Sequence, residues 1–318
     1  MKNFLFAVSI LVFSACSSDG ALQQILGSKA EPPVYLDCRP VSSTEVVFSF
    51  SKPVRLVSLE FNPAFETEFI EEDNDVKVIF SSSLEEGRKI TADLLVEDSN
   101  KNTLNVIVPF RARNDRMPVL VFNELRTEYS KPKVEFVEFF VLEAGNLGAM
   151  RLFIASNALS EPVYEFSPSE VKAGEYIVLH LRTIEEGCLD ETGTDLALSG
   201  GTEAQSAARD FWLPGAVKLL RKTDALWIMD QDERIIDAVL LGETPETLGK
   251  NRKVSEAAAF LCDKKAWLLD PVTSAGTTNT RTICRDETIP ASPEAKNWYI
   301  TATSSATPGK PNNQKRYN

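Results

Sequence analysis

Six carboxylates stand where two strands and a hairpin could gather them: Glu124, Glu135 and Glu138 in one stretch, Asp230, Asp232 and Asp237 in another. Oxygen donors in that number suit a hard cation such as calcium, which takes about six to eight oxygen ligands. Glu124, Glu138, Asp230 and Asp232 are the candidate metal ligands. Two such carboxyl groups could also act as the acid and base of a glycosidase. A plainer reading exists for each half. Asp230-Gln231-Asp232-Glu233 has the composition of an exposed hairpin turn, and Glu124 and Glu138 can bond loop amides within the fold.

Other chemistries are narrowed by what the chain holds. His180 is its single histidine, so a multi-histidine zinc site is excluded, and a Ser-His-Asp site would have to use His180. No motif supplies His180 with a nucleophile and an orienting acid, and a lone strand histidine reads as structural. Beyond Cys16, the cysteines are Cys38, Cys188, Cys262 and Cys284, with no C-x-x-C spacing for redox or zinc chemistry. Cys262 and Cys284 flank a loop whose closure by a disulfide would contribute roughly 3 kcal/mol. Cys38 with Cys188 would make an interdomain clamp, and four small buried hydrophobes is the bland alternative. Phe211-Trp212-Leu213-Pro214-Gly215 reads as an aromatic turn. If exposed, Phe211 and Trp212 would anchor a protein or glycan partner; if not, they belong to the core. No cofactor-binding loop is present.

The elements that must hold these residues are mostly strands. Residues 119–126 and 134–141 alternate with a two-residue period, rich in β-branched and aromatic side chains, around a polar turn at Ser130-Lys131-Pro132. An antiparallel pair follows, opening a β-domain that closes only near residues 306–312. Trp227 and Trp298 read as core. Residues 185–210 form a polar, glycine-containing loop. Residues 255–269 read as a helix capped by Ser255, with Ala258, Leu261, Lys265 and Leu268 along one face. The fold class is all-β, with a helical insertion.

At 318 residues the chain has room for two or three domains, and 43% hydrophobic with 25% charged residues is ordinary for globular protein. The net charge of −12 argues against a nucleic-acid surface, which depends on cationic contacts. Lys2 followed by an apolar run over residues 4–13 has the layout of a targeting segment. That run is too short for a span of about 20 residues. Phe13-Ser14-Ala15-Cys16 resembles a bacterial lipobox, which implies acylation of Cys16 and anchorage to a lipid membrane at the cell envelope. Residues 17–30 read as a tether.

Residues 31–113 hold short strands at 45–50, 76–80, 90–96 and 104–110, spaced by turns as in a β-sandwich. Phe50-Ser51-Lys52-Pro53-Val54 and the turn Asp98-Ser99-Asn100-Lys101-Asn102 resemble the SbsA-type bacterial Ig-like domain, a spacer that brings no catalytic residues. The family's glycine in that turn is replaced here. After a link at 114–118, residues 117–313 resemble a bacterial lamin-tail domain, an Ig-like sandwich. The phrases that carry the likeness come in the family's order. They are Val121-Phe122-Asn123-Glu124-Leu125, Phe136-Val137-Glu138-Phe139-Phe140, Ala173-Gly174-Glu175-Tyr176-Ile177, the hairpin from Asp224 to Val239, and Ala306-Thr307-Pro308-Gly309-Lys310-Pro311-Asn312. Together the resemblances imply two tandem Ig-like sandwiches on a lipid anchor. The function they imply is non-catalytic binding or scaffolding of a protein or glycan. The alternatives are a carboxylate- or metal-dependent envelope hydrolase and a nucleic-acid-binding module.

Overall fold

The computed structural model describes residues 31–268 and 270–317. The expected leader (1–16), Cys16 and the tether (17–30) lie outside the described residues. Among the described residues no helix is long and apolar enough to cross a membrane. Residues 31–39, 46–79 and 91–108 form one compact unit, and residues 40–45, 80–90 and 109–317 form another.

The first seven strands are β1 (Tyr35–Ser42), β2 (Glu45–Phe50), β3 (Arg55–Asn62), β4 (Thr67–Glu72), β5 (Asp75–Phe80), β6 (Lys89–Glu97) and β7 (Thr103–Arg111). They make a four-stranded sheet, β1-β2-β5-β4, and a three-stranded sheet, β3-β6-β7. Alternation drives burial: Val76, Val78 and Phe80 go inward on β5, as do Ile90, Ala92, Leu94 and Val96 on β6. The turn after β6 is tied by the Asp98 carboxylate, which accepts the backbone N–H groups of Asn100 (2.8 Å) and Asn102 (3.0 Å). Lys101 takes φ +69° there, the left-handed region that explains why glycine is common at such a place.

The next strands are β8 (Val119–Arg126), β9 (Phe136–Glu143), β10 (Gly145–Asn146), β11 (Arg151–Ile154), β12 (Tyr164–Glu165), β13 (Glu170–Val171) and β14 (Tyr176–His180). After these come β15 (Arg209–Trp212), β16 (Asp224–Met229), β17 (Ile235–Gly242), helix α1 (Arg252–Asp263), β18 (Val272–Thr273), β19 (Ile283–Arg285) and β20 (Trp298–Ile300). A six-stranded sheet runs β15-β14-β9-β8-β19-β20, and a five-stranded sheet runs β12-β11-β16-β17-β18. One apolar cluster joins them: Leu120, Phe122, Val137, Phe139 and Ile177 from the first, Leu152, Ile154, Leu226, Ile228 and Val239 from the second. The second unit is therefore sandwich-like, and the chain is all-β with a helical insertion. β8 and β9 pair antiparallel with Glu124 opposite Glu138, and β16 pairs antiparallel with β17, both as the alternation predicts.

Helix α1 starts before the expected residue 255. Asn251, not Ser255, caps it, accepting the N–H of Lys253 at 3.0 Å. Val254, Ala257 and Leu261 are its buried stripe. The expected face with Lys265 fails because the chain leaves the helix at Lys264, and Lys265 takes φ +57°.

Candidate functional site

Glu124 and Glu138 face away from the inter-sheet core, yet both are fully buried, because the segment 307–312 lies over them. Glu124 accepts the N–H of Thr307 (3.1 Å) and the hydroxyl of Thr282. Glu138 accepts the N–H of Gly309 (2.5 Å) and the Asn123 amide (2.8 Å). Asn312 completes the strap by donating to Asn123 O (3.2 Å) and Arg285 O (3.0 Å). Burial raises the Glu124 carboxyl; burial and then the Glu124 charge raise Glu138 well above the ordinary 4.5. These two carboxylates hold the fold shut rather than face a substrate.

The other acids have separate duties. Asp237 accepts the N–H of Phe122 (2.8 Å) and an Arg285 N–H (2.6 Å). Glu135 pairs with Arg182 at 2.5 Å. Asp230 accepts the N–H groups of Asp232 (2.8 Å) and Arg234 (2.9 Å), closing the β16–β17 turn. Asp232 reaches Arg113 (3.0 Å) and Arg234 (3.2 Å). The expected ligand set Glu124, Glu138, Asp230 and Asp232 is thus corrected: the first pair is committed to the strap, the second to the turn. Among the described residues no three His, Cys, Asp or Glu side chains converge as metal ligands.

Phe211 and Trp212 need correction as well. They lie in β15, which pairs parallel with β14, and not in an exposed turn. Phe211 packs edge-on against Phe166 at 5.1 Å, inside the core. Trp212 stacks on His180 with centroids 3.8 Å apart and donates its indole N–H to Ser199 at 2.8 Å. His180 Nε2 lies 2.8 Å from Asp210 Oδ1, both side chains buried. Phe211 is therefore covered, Trp212 is buried but still lines an open concavity with Leu189, Asp190 and Pro214, and Trp227 and Trp298 are buried as their patterns suggest. The loop expected over residues 185–210 is irregular only as far as Ala208, which is buried against Phe136 and Val178, and Arg209 and Asp210 already belong to β15.

Cys38, Cys188, Cys262 and Cys284 are all free thiols, which overturns the Cys262–Cys284 pairing. Cys262 rides on α1, whereas Cys284 lies within the six-stranded sheet, 3.8 Å from the Thr282 hydroxyl. Burial pushes the Cys38 thiol up to about 12, with Asp37 adding to it. Burial, then Glu185, raises Cys188. Protein purified without reductant should therefore titrate for four thiols past Cys16 once denatured. In the native state Cys38 and Cys284 should react far more slowly than in denaturant, since the thiolate is the reactive form. A denatured count short by one pair would restore a disulfide.

Two adjoining concavities among those that stay open make a cleft beside α1. One half, about 490 Å³, is lined by Phe153, Trp227, Met229 and Phe260, with Arg151 and Glu256 among its polar members. Phe153 and Trp227 stack nearly parallel (4°) with centroids 5.0 Å apart, and Phe260 leans on Trp227 at 6.2 Å. The adjoining half, about 440 Å³, shares Phe260 and Glu233 and adds Arg234, Lys264 and Lys265. An aromatic floor with a few polar groups is the usual form of a ligand site. Trp227, Met229, Glu233 and Arg234 fall in the hairpin from Asp224 to Val239, but no motif marked them as a site. The available signal was Phe260, a large ring beside the stripe Val254-Ala257-Leu261, which the sandwich core does not absorb.

Partial similarity exists to L,D-transpeptidase 3 from Mycobacterium tuberculosis: 13% identity over 46% of this chain and 81% of that one, TM-score 0.19. An L,D-transpeptidase from Mycobacterium tuberculosis H37Rv matches with 12% identity over 66% of this chain and 98% of its own, TM-score 0.18. Superpositions this poor say nothing about the chemistry of this chain. An uncharacterized protein of Treponema pallidum (strain Nichols) is 27% identical over 195 residues, 57% of this chain. That match spans about half (48%) of the relative's length. Residues 118–300, more than half the chain, match the family model TP_1001_2nd, described as a protein second domain, and the chain belongs to that family.

Proposed function

We propose that this chain is an envelope lipoprotein, anchored to a membrane through acylated Cys16, whose lamin-tail-like second domain binds or scaffolds a partner without catalysing a reaction. The open cleft beside α1, floored by Phe153 and Trp227, carries this reading. It is an open concave surface with aromatic lining, whereas the buried carboxylates and the His180–Asp210 pair are already engaged by the fold. The first domain would act as a spacer between membrane and cleft. Each buried CH₂ of an acyl chain contributes about 0.8 kcal/mol to membrane attachment, and stable anchoring takes more than one chain.

Two measurements test the proposal. Wild-type protein should partition into the detergent phase on fractionation, whereas Cys16→Ala should stay aqueous or remain unprocessed. Unchanged partitioning of that variant would refute the anchor. Crosslinking in intact cells should trap a partner through a photoreactive group placed at Phe260. If crosslinks form from exposed Leu142 at the end of β9 and none from Phe260, the binding face has been misplaced.

A further inference from the structure

The cleft has two chemically different halves, and the difference specifies an occupant. The apolar half is walled by Phe153, Trp227, Met229 and Phe260. Trp227 is only 3% exposed and one face of its ring is taken by Phe153, so no open ring face remains for a sugar to stack on. Phe260, at 36% exposed, is the ring that a ligand would meet. The half fits an inserted apolar side chain better than a flat sugar.

The rim carries both donors and acceptors. Arg151 gives Nη2 to Asp230 O at 3.0 Å and still lines the cleft, beside Ser160, Glu233 and Glu256. An acyl chain offers nothing to these groups, and covering carboxylates without partners is costly. An extended peptide offers both N–H and C=O groups along its length.

The adjoining half is cationic. Lys264 and Lys265 are exposed and make no ion pair among the described residues. The Arg234 side chain is 73% exposed and touches Asp232 only at 3.2 Å. Of the two carboxylates in this lining, Asp237 is spent on Arg285 and the Phe122 N–H, which leaves exposed Glu233 as the acid set against the three cations. In a chain of net charge −12 such a cluster attracts acidic groups while the rest of the surface repels them.

We propose that this cleft takes an extended acidic peptide: a bulky apolar or aromatic side chain seats against Phe260, and the acidic residues beside it lie along Arg234, Lys264 and Lys265. The proposal rests on the reading of the second domain as a binding module and names the chemistry of its ligand.

The test uses the full chain in detergent micelles and fluorescence anisotropy. The probe is a labelled peptide in which one phenylalanine is followed by three glutamates in a glycine–serine background. Controls replace the glutamates with lysines or the phenylalanine with alanine. The acidic probe should bind about tenfold or more tighter than the lysine probe, and weaken as salt rises. Alanine in the probe, Phe260→Ala in the protein, and the double variant Lys264→Glu/Lys265→Glu should each cost about tenfold. These positions lie at the surface, so an unchanged Tm certifies that the variants are folded. Equal affinity for the acidic and basic probes, or indifference to Phe260→Ala, would overturn the proposal. A phosphatidylglycerol vesicle or a neutral oligosaccharide that binds where both peptides fail would also overturn it, while leaving a binding role intact. If none of these probes binds and cellular crosslinks from Phe260 are also absent, the binding-module reading itself falls.

Discussion

Glu138→Ala should be among the most damaging single changes in this protein. The substitution strands the Gly309 N–H, held at 2.5 Å, and one Asn123 N–H, held at 2.8 Å, in a place without water. Each orphaned buried group costs about 1–3 kcal/mol, so a loss of about 2–6 kcal/mol is expected from a total of only about 5–15. Glu138→Gln tests the same site without emptying it, since an amide oxygen can still accept one of the two bonds. The pH behaviour separates the variants further. Glu138 is fully buried beside Glu124, and both causes raise its carboxyl above 4.5. The folded state therefore holds its proton more tightly than the unfolded chain does. Its contribution is fully present below the unfolded value, and it is lost as pH rises through the folded one. Urea midpoints of the wild type should fall from mildly acid to alkaline solution, and the fall should be shallower in Glu138→Gln. Parallel pH curves for the two proteins would remove Glu138 from this role.

The second large effect is expected at Arg285. Its Nε donates to Phe122 O (2.7 Å), Nη2 to Asp237 (2.6 Å), and its guanidinium lies 4.7 Å from the centre of the Trp298 ring. One side chain thus ties β19 to β8, β17 and β20. Arg285→Ala leaves a buried carboxyl without its cation, a loss of about 3–5 kcal/mol when the charge persists. Burial already raises Asp237 while Arg285 opposes it. In the variant Asp237 should therefore take up a proton, placing the loss nearer about 3 kcal/mol. Arg285→Lys should recover little, because an ammonium cannot reproduce two fixed N–H directions and the planar stack. Chemical denaturation measures both; a midpoint for Arg285→Ala within error of wild type would contradict the assignment.

Strands buried by alternation were legible in the sequence. β2, β5, β6 and β7 lie where their periodicity places them, as do the β8–β9 and β16–β17 hairpins. β1, β3 and β4 were not legible, and all three are sheet edges. An edge strand pairs on one side only and tolerates exposed polar residues, so its pattern is weak: β4 buries none of its residues. Phe211 and Trp212 were misleading because Pro214-Gly215 follows them and suggests a turn, whereas their parallel partners Leu179 and His180, far earlier in the chain, draw them into a sheet. The cysteine spacing was blind to layers: Cys262 and Cys284 are close in sequence but belong to different sheets' surroundings. Glu124 and Glu138 were correctly seen as neighbours. That they bond loop amides was also foreseen, but which amides was out of reach, since no local pattern links a strand carboxylate to Thr307 or Gly309. The cleft was hidden for the same reason, being assembled from β11, β16 and α1.

The strap over Glu124 and Glu138 also sets a timetable. Its bonds join residues 183 and 171 positions apart. Contacts of such high sequence separation pay their loop-closure entropy before they return anything, which makes folding slow. A nascent chain that has emerged only as far as β20 could assemble both sheets and still show two uncapped acids to water. Maturation of this domain is thus completed only when residues 307–312 arrive, and until then a chaperone or a translocation machine could engage the unfinished sheet.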